Sequence, residues 1–486
     1  MEAKSRTAEL RWVALVALAI VAVLPAIQMW HWVSSNWVSL PYWDEWFTPG
    51  SQFESWKRGT LTLKELFCQH NESRLFFPRL FYFALAEFGG WDVRYAIRAL
   101  FIITCGFCLL LLHLLRRTPG ATPLSSLIAW ALMTWICFAP VQVKNFLYGI
   151  EIEPLIPAFA LLAASAINLS GLSFRAKTLL DIALAFVATY SFANGMLVWA
   201  LAWPLPAPNE TKSVKRRLLW LGSYAVAAII SIGAYFAGYH RPSYHPKFAS
   251  VTARFWDLAH YVILWAGNYF ASDLAGPFVL GVCALVAFAA GFGFAIWTSW
   301  KQRKWRTFYP WLLLGIFACA TVAITALGRL GFGVQQALDN RYVAMSRFLY
   351  VAIAGLYFSI FVARSQLSAA TLRVFFLTNA GWAIAIFVLL WANSYRVFAG
   401  TAAEYRSERS RLLLSLRWMH VIPDNPDLAL IIPYPEALKR RASYLESVGL
   451  LRLRSIEGPL AAHVQQTPPP ADTAHGRIEL AQLTPD

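Results

Sequence analysis

The chain has 486 residues, 58% of them hydrophobic and only 14% charged, with a mean hydropathy of +0.49. Apolar runs long enough to cross a ~30 Å hydrocarbon core recur along it, which excludes an ordinary soluble domain. The net charge of +16 does not call for a nucleic-acid partner. Much of it lies in short basic loops that set topology, and the rest suits anionic lipid headgroups.

The first run, WVALVALAIVAVLPAIQMW (12–30), has no small-residue cleavage site before the tryptophan-rich stretch that follows. It reads as an uncleaved span. Lys4, Arg6 and Arg11 place the N-terminus in the cytoplasm. A long first outer loop, 31–95, follows. Its segments SQFESWKRGTLTLKELF and LFFPRLFYFALAEFGGW alternate apolar and polar faces and read as helices lying at the interface. Spans two to four are expected at 96–115, 122–141 and 152–169, with Arg116, Arg117, Arg175 and Lys177 marking the cytoplasmic turns. The stretch 178–206 is interrupted by FANG (192–195), and Gly195 breaks it into two short helices, 178–192 and 195–206, hinged at the outer face. Span seven is 217–238, and an outer loop runs to about 271 with a basic group, His240, Arg241, His245 and Lys247, that suggests no chemistry. Spans eight (274–298) and nine (308–328) flank WKQRKWR, the strongest cytoplasmic signal. Spans ten (345–363) and eleven (374–393) follow.

The expected architecture is therefore an all-α polytopic membrane protein with about eleven spans. It divides into a membrane domain (1–394), a small outer C-terminal domain (395–465) and a disordered tail (466–486). In the C-terminal domain two amphipathic helices, AAEYRSERSRLLLSLRWM and PEALKRRASYLESVGLL, flank LALIIPYP, which reads as a short buried strand. The tail contains QQTPPPADTAHG, which is linker-like.

Five of the six cysteines fall inside apolar runs, and only Cys68 lies in a loop. Cys105 and Cys108 form a CxxC by count alone, in lipid-facing sequence, and no metal-ligand spacing is visible.

The chemistry concentrates in the first outer loop. PYWDEWFTPG (41–50) sets Asp44 and Glu45 between Trp43 and Trp46, and FCQHNESRLFFPRL (67–80) adds His70, Asn71, Glu72, Arg74 and Arg79. Transfer of a sugar from a lipid phosphate needs a base for the acceptor hydroxyl and cations for the leaving phosphate. Asp44 or Glu45 is the candidate base. Neighbouring indoles would raise a carboxylate's pKa by desolvation and stack on sugar faces. Arg74, Arg79, Arg341 and Arg347 are candidate phosphate partners, because guanidinium binds phosphate oxygens as a fork. Glu151 and Glu153 stand at the mouth of the fourth span. Plainer readings exist for each: a helix cap at DEWF, a satisfied surface histidine, a chance glycosylation sequon at Asn71-Glu72-Ser73, and arginines that snorkel at an interface.

The sequence resembles the C-type-fold (GT-C) membrane glycosyltransferases, and more closely a bacterial group of polytopic proteins in that superfamily. Four segments of 1–395 carry the likeness: DEW; HNESRLFFPRL; NFLYGIEIE; and SFANGMLVW with NRYVAMSRFLY. Ser73 stands where the group's motif has a second histidine, and Glu151 where it has glutamine. The resemblance implies a polyprenyl-phosphate-linked sugar donor on the outer face and a glycan, lipid or protein acceptor. It implies a first-loop carboxylate that activates the acceptor or binds a divalent cation. That role falls on Asp44, with Glu45 and Glu72 beside it and Asn194 and His70 among the substrate contacts. The location implied is a bacterial inner membrane with the C-terminus outside. A carrier of lipid-linked precursors and an O-antigen polymerase or ligase are the competing readings. The carrier is disfavoured because Asp181 is nearly alone among ionisable groups inside a span.

Overall fold

The computed structural model describes residues 2–206, 214–242, 246, 253–269, 275–363, 392, 395, 398 and 400–456. Helix α1 (Glu2–Asn36) leads into an outer layer made of α2 (Asp44–Phe47), α3 (Gly50–Lys57), α4 (Leu63–Leu66), a two-stranded hairpin of β1 (Gln69–His70) and β2 (Ser73–Arg74), and α5 (Phe76–Gly89). The helical bundle continues through α6 (Val93–Arg117), α7 (Pro123–Cys137), the short α8 (Val143–Phe146), α9 (Ile152–Leu169), α10 (Phe174–Thr189), the short α11 (Leu197–Leu201) and α12 (Val214–Phe236). It is completed by α13 (Phe255–Gly267), α14 (Ala275–Gln302), α15 (Trp305–Arg329) and α16 (Asn340–Ala363). The C-terminal region contributes α17 (Thr401–Arg417), α18 (Asp427–Ile431) and α19 (Pro435–Ser447).

Among the described residues eight helices are long and apolar enough to cross a membrane. They match the expected spans one to four and seven to ten. Local chemistry explains the starts. Asp92 caps α6 by accepting from the Arg94 amide, Thr122 and Ser125 form a capping box at α7, and Ser173 caps α10. Arg116 and Arg117 end α6 where its dipole favours cations. The stretch 178–206 breaks as expected, into α10, a 3-10 turn at Ala193–Met196 and α11. A side chain at Gly195 would sit 1.9 Å from the Ala188 carbonyl oxygen, so only glycine permits this fold-back. Apart from residue 392, the eleventh expected span (374–393) lies outside the described residues, as does the 466–486 tail.

Two expectations need correction. The outer loop expected at 239–271 contains α13, whose Tyr261, Leu264 and Trp265 are fully buried. At 1.5 Å per residue it is about 20 Å long, too short to span. It pairs with α14 at van der Waals distance, because Gly267 and Gly281 each face the partner backbone and a side chain on either would collide with it. LALIIPYP is not a strand. Pro426 starts a helical turn there, and Leu428 and Ile431 are buried from one side of α18.

The C-terminal region is docked on the first outer loop. The Trp43 amide donates to the Ile431 carbonyl at 3.0 Å, and the Trp91 amide to the Leu450 carbonyl at 2.6 Å. Arg441 reaches the Trp46 carbonyl at 2.6 Å and Glu54 at 2.9 Å. Arg409 lies over the Tyr42 ring at 3.1 Å, and the Tyr405 hydroxyl donates to the Leu147 carbonyl at 2.9 Å. The two regions therefore stand on one side of the bundle. The turn between α14 and α15 stands on the other, because α15 ends at Arg329, which pairs with Glu72 of the outer layer.

Epitope tags inserted after residues 59, 303 and 400 test this arrangement in intact and permeabilised cells. The tags at 59 and 400 should become accessible to antibody together, and the tag at 303 in the opposite condition. Opposite behaviour at 59 and 400 would overturn the docked arrangement.

Candidate functional site

The DEW turn is held from inside. Trp46 is fully buried, donates its indole N–H to the Pro41 carbonyl at 2.7 Å and packs edge-on to Trp91. Trp43 is 43% exposed and has φ of 47°, a left-handed conformation that a bulky residue adopts only when its surroundings impose it. The expected sandwich of carboxylates between two indoles is thus unequal: Trp46 is an anchor, and only Trp43 is open to a sugar face.

The two carboxylates have opposite environments. The Asp44 side chain is 40% exposed and lies 3.6 Å from His70 Nε2. Burial pushes its pKa up, but the His70 contact and the charges of His70, Arg341 and Arg329 outweigh that and hold it below the ordinary carboxylate value. Glu45 is only 5% exposed. It accepts the Tyr42 amide at 2.9 Å and borders a partly open cavity of about 20 Å³, too small for substrate. Burial pushes its pKa up to about 8, and the Tyr42 amide and Arg409 only partly offset this. At neutral pH Asp44 is an anion and Glu45 is largely a neutral acid.

The hairpin brings the second motif to the first. Its antiparallel register pairs Gln69 with Arg74 and His70 with Ser73. Asn71, at φ of 50°, makes the turn and lies 3.3 Å from His70 Nε2 through its amide. Ser73 accepts the Ala193 amide at 3.1 Å, which ties the hairpin to the FANG turn. Glu72 forms an ion pair with Arg329. The two hairpin-region arginines proposed for phosphate hold backbone instead. Arg74 donates to the carbonyls of Phe67, Tyr235 and Ala237. Arg79, 1% exposed, donates to Thr48 Oγ1 and to the carbonyls of Glu65, Leu66 and Cys68.

The cations near Asp44 come from later in the chain. Asn145 and Asn340 exchange hydrogen bonds, and Gln142 donates to the Val343 carbonyl at 3.0 Å, which fixes the start of α16. Arg341 there is 45% exposed and pairs with Asp339 at 3.0 Å, within electrostatic reach of Asp44. Two turns deeper, Arg347 is buried and its Nε has no hydrogen-bond partner among the described residues. Glu151, on a 3-10 turn at Gly149–Glu151, is buried and its Oε2 is likewise unpartnered. The charges acting on it are Arg347, Arg341, Asp339 and Asp44, yet it forms no ion pair with either arginine. Each of the two therefore keeps one buried polar atom without a hydrogen-bond partner among the described residues. Glu153 accepts the Tyr82 hydroxyl at 3.5 Å. Asn194 turns its amide to Thr321 at 3.1 Å, towards α15. Glu151, Glu153 and Arg347 all lie in candidate spans, so Asp181 is not as isolated among intramembrane ionisable groups as the sequence suggested.

The structure therefore brings Asp44, His70, Glu151 and Arg341 together, with Glu72 joined through Arg329. It keeps Glu45 below the surface and assigns Arg74 and Arg79 to the scaffold. Arg329, Asp339 and Arg409 were not singled out in the sequence. Arg329 closes an apolar run, where an arginine reads as an interface anchor, and Arg409 sits in an amphipathic pattern 365 positions from Asp44. No group of three His, Cys, Asp or Glu side chains among the described residues is placed to hold a metal ion, and no chemistry below runs through one.

The Glu45 environment has a measurable consequence. Between its ordinary value of 4.5 and about 8 the unfolded chain releases the proton and the folded chain keeps it. Stability from this group therefore falls as pH rises through that window. Glu45→Gln keeps an acceptor for the Tyr42 amide and removes the titration. Its melting temperature in detergent, relative to the native protein, should climb from pH 5 to 8 and level off above. A difference independent of pH would show that Glu45 is not buried as described.

No family model matches the chain, and neither a curated protein nor a solved structure matches it.

Proposed function

We propose that the protein is a GT-C-like membrane glycosyltransferase that moves a sugar from a polyprenyl-phosphate-linked donor to a glycan, lipid or protein acceptor of the cell envelope. The membrane is a bacterial inner membrane, with the N-terminus in the cytoplasm and the Asp44 layer outside. What carries the reading is one juxtaposition: an ionised, solvent-open Asp44 beside His70, with the Arg341 and Arg329 charges around it, at the mouth of an apolar bundle. A lipid phosphate lies at that depth, and its sugar projects towards the open indole of Trp43.

In the transfer, the bond between the anomeric carbon and the phosphate oxygen breaks, and a bond to the acceptor oxygen forms. The acceptor proton passes to Asp44, whose lowered pKa makes it a modest base. The leaving phosphate takes the electron pair. Arg341 is the open guanidinium for that charge, and Arg347, with its unpartnered Nε, is the deeper one. Glu45, held neutral, keeps a second negative charge away from Asp44.

Glu151, Glu153 and Arg347 inside candidate spans favour a second reading, a carrier for lipid-linked sugars. The two separate cleanly in detergent, where no compartments exist. Lipid-linked sugar that co-purifies with the protein, identified by mass spectrometry, supplies the donor. Native protein in detergent should transfer the sugar. Asp44→Asn should accumulate to the native level and transfer ~10²–10⁴-fold more slowly. Native-rate transfer by Asp44→Asn removes the base assignment, and no transfer in detergent despite bound donor favours the carrier.

Arg341→Lys tests the phosphate role. Lysine keeps the charge and loses the planar fork, so it should not restore transfer to Arg341→Ala. Full activity of Arg341→Ala at normal protein level reduces Arg341 to an anchor.

A further inference from the structure

At the end of the bundle away from Asp44, the beginnings of α10 and α12 enclose a cavity of about 350 Å³ lined by Phe174, Arg175, Arg216, Arg217, Leu219 and Trp220. Its position follows from the helices. The 16 residues of α10 run from this cavity up to the FANG turn that touches the hairpin, a rise of about 24 Å. The cavity therefore opens at the opposite boundary of the membrane.

Three of the six lining residues are arginines, and among the described residues the lining carries no carboxylate. The Arg175 guanidinium lies 5.5 Å from the centre of the Trp220 ring, so an indole and a guanidinium form one wall together. The N-terminus of α10 lies in the same wall and adds to the positive potential.

What surrounds the cavity is apolar and exposed. Leu219 is 69% exposed, and Val226 (55%) and Ile230 (64%) follow it at spacings of seven and four, on one face of α12. On α10, Leu179 stands four residues beyond Arg175 and is 49% exposed. A basic recess thus opens directly onto an apolar stripe that runs towards the bilayer centre. A free anion would use the recess and leave the stripe unused. A molecule with an anionic head and long hydrocarbon chains fits both.

We infer that this recess binds the phosphate headgroup of an anionic phospholipid of the leaflet opposite Asp44, with its acyl chains along the Leu219–Val226–Ile230 stripe. Guanidinium forks recognise the phosphate, and Trp220 fixes the depth of the headgroup. The site is separate from the proposed donor site, lies across the membrane from it, and holds whether or not the chain transfers sugars.

The test uses the full-length protein delipidated in a neutral detergent. Phosphatidylglycerol, phosphatidylcholine and inorganic phosphate are added separately, and bound lipid is read by native mass spectrometry together with the melting temperature. Phosphatidylglycerol should bind and raise the melting temperature. Phosphatidylcholine should bind at least tenfold more weakly, and inorganic phosphate at the same concentration should change nothing. Arg216→Ala/Arg217→Ala should weaken phosphatidylglycerol binding at least tenfold. Because that pair also contributes to topology, Arg175→Ala provides a milder variant and should weaken binding severalfold. Lys301→Ala removes an exposed charge at the end of α14 and should leave binding unchanged. Equal weakening by Lys301→Ala would reduce the effect to diffuse charge attraction. Equal binding of the two lipids, an equal response to phosphate alone, or native binding by Arg175→Ala would each overturn the assignment.

Discussion

One buried guanidinium sets the geometry on which the outer layer depends. Arg79, on α5, donates to Thr48 at the end of the DEW turn and to the carbonyls of Leu66 and Cys68 just before the hairpin. Asp44 lies four residues before one anchor and His70 two residues after the other. Their 3.6 Å approach is therefore set from below by a side chain that touches neither. Hydrogen bonds from a charged donor contribute roughly 1.5–3 kcal/mol each, and a buried charge that loses its partners costs more than the bonds were worth. The layer can therefore shift only as a unit.

The same device recurs at two other places where chain segments distant in sequence meet. Arg74 joins the hairpin to the end of α12, and Arg441 joins α19 to the DEW turn. Each donates to main-chain carbonyls, and Arg441 to the Glu54 carboxylate as well. A membrane boundary explains the preference. Irregular backbone there has limited access to water, and its carbonyls must be satisfied from within the protein. Arginine offers several donors at the end of a long stem and stays charged, so it satisfies several carbonyls at once. Arg74 and Arg79 of the first outer loop are staples of this kind, and Arg341 by its exposure and Arg347 by its unpartnered Nε differ from them in ways that their residue type does not show.

This is also where the sequence stopped being informative. Spans and their breaks were legible because hydropathy, basic turns and Gly195 act locally, within one or two helical turns. The polar character of the first outer loop was legible because two carboxylates and a His-Asn-Glu run stand out beside long apolar segments. Three things were not legible. The surroundings of Glu45 include Arg409, which lies over the Tyr42 ring from 367 positions away. The docking of 400–456 depends on main-chain bonds, such as Trp43 to Ile431, that leave no residue signature. The helix α13 was hidden because 13 residues, most of them apolar, are too few for a span and do not alternate like an interfacial segment. LALIIPYP misled for a related reason: a short apolar run does not distinguish a strand from a helical turn, and Pro426 decided it locally.

Adjacent carboxylates end in different protonation states because the turn exposes one face of α2 and seals the other. Two anions one residue apart would repel, and the burial of Glu45 removes that repulsion by keeping its proton on. Asp44 then keeps its charge for the open side, where His70 and two guanidiniums make ionisation favourable. The pattern is the general one by which neighbouring acidic groups take different roles, through environment and not through residue type. The docked C-terminal region touches the same turn: Arg409 lies over the Tyr42 ring, and the Trp43 amide, on a residue of positive φ, donates to the Ile431 carbonyl. Residues 400–456, far from the first span in sequence, therefore pack against the layer that carries Asp44.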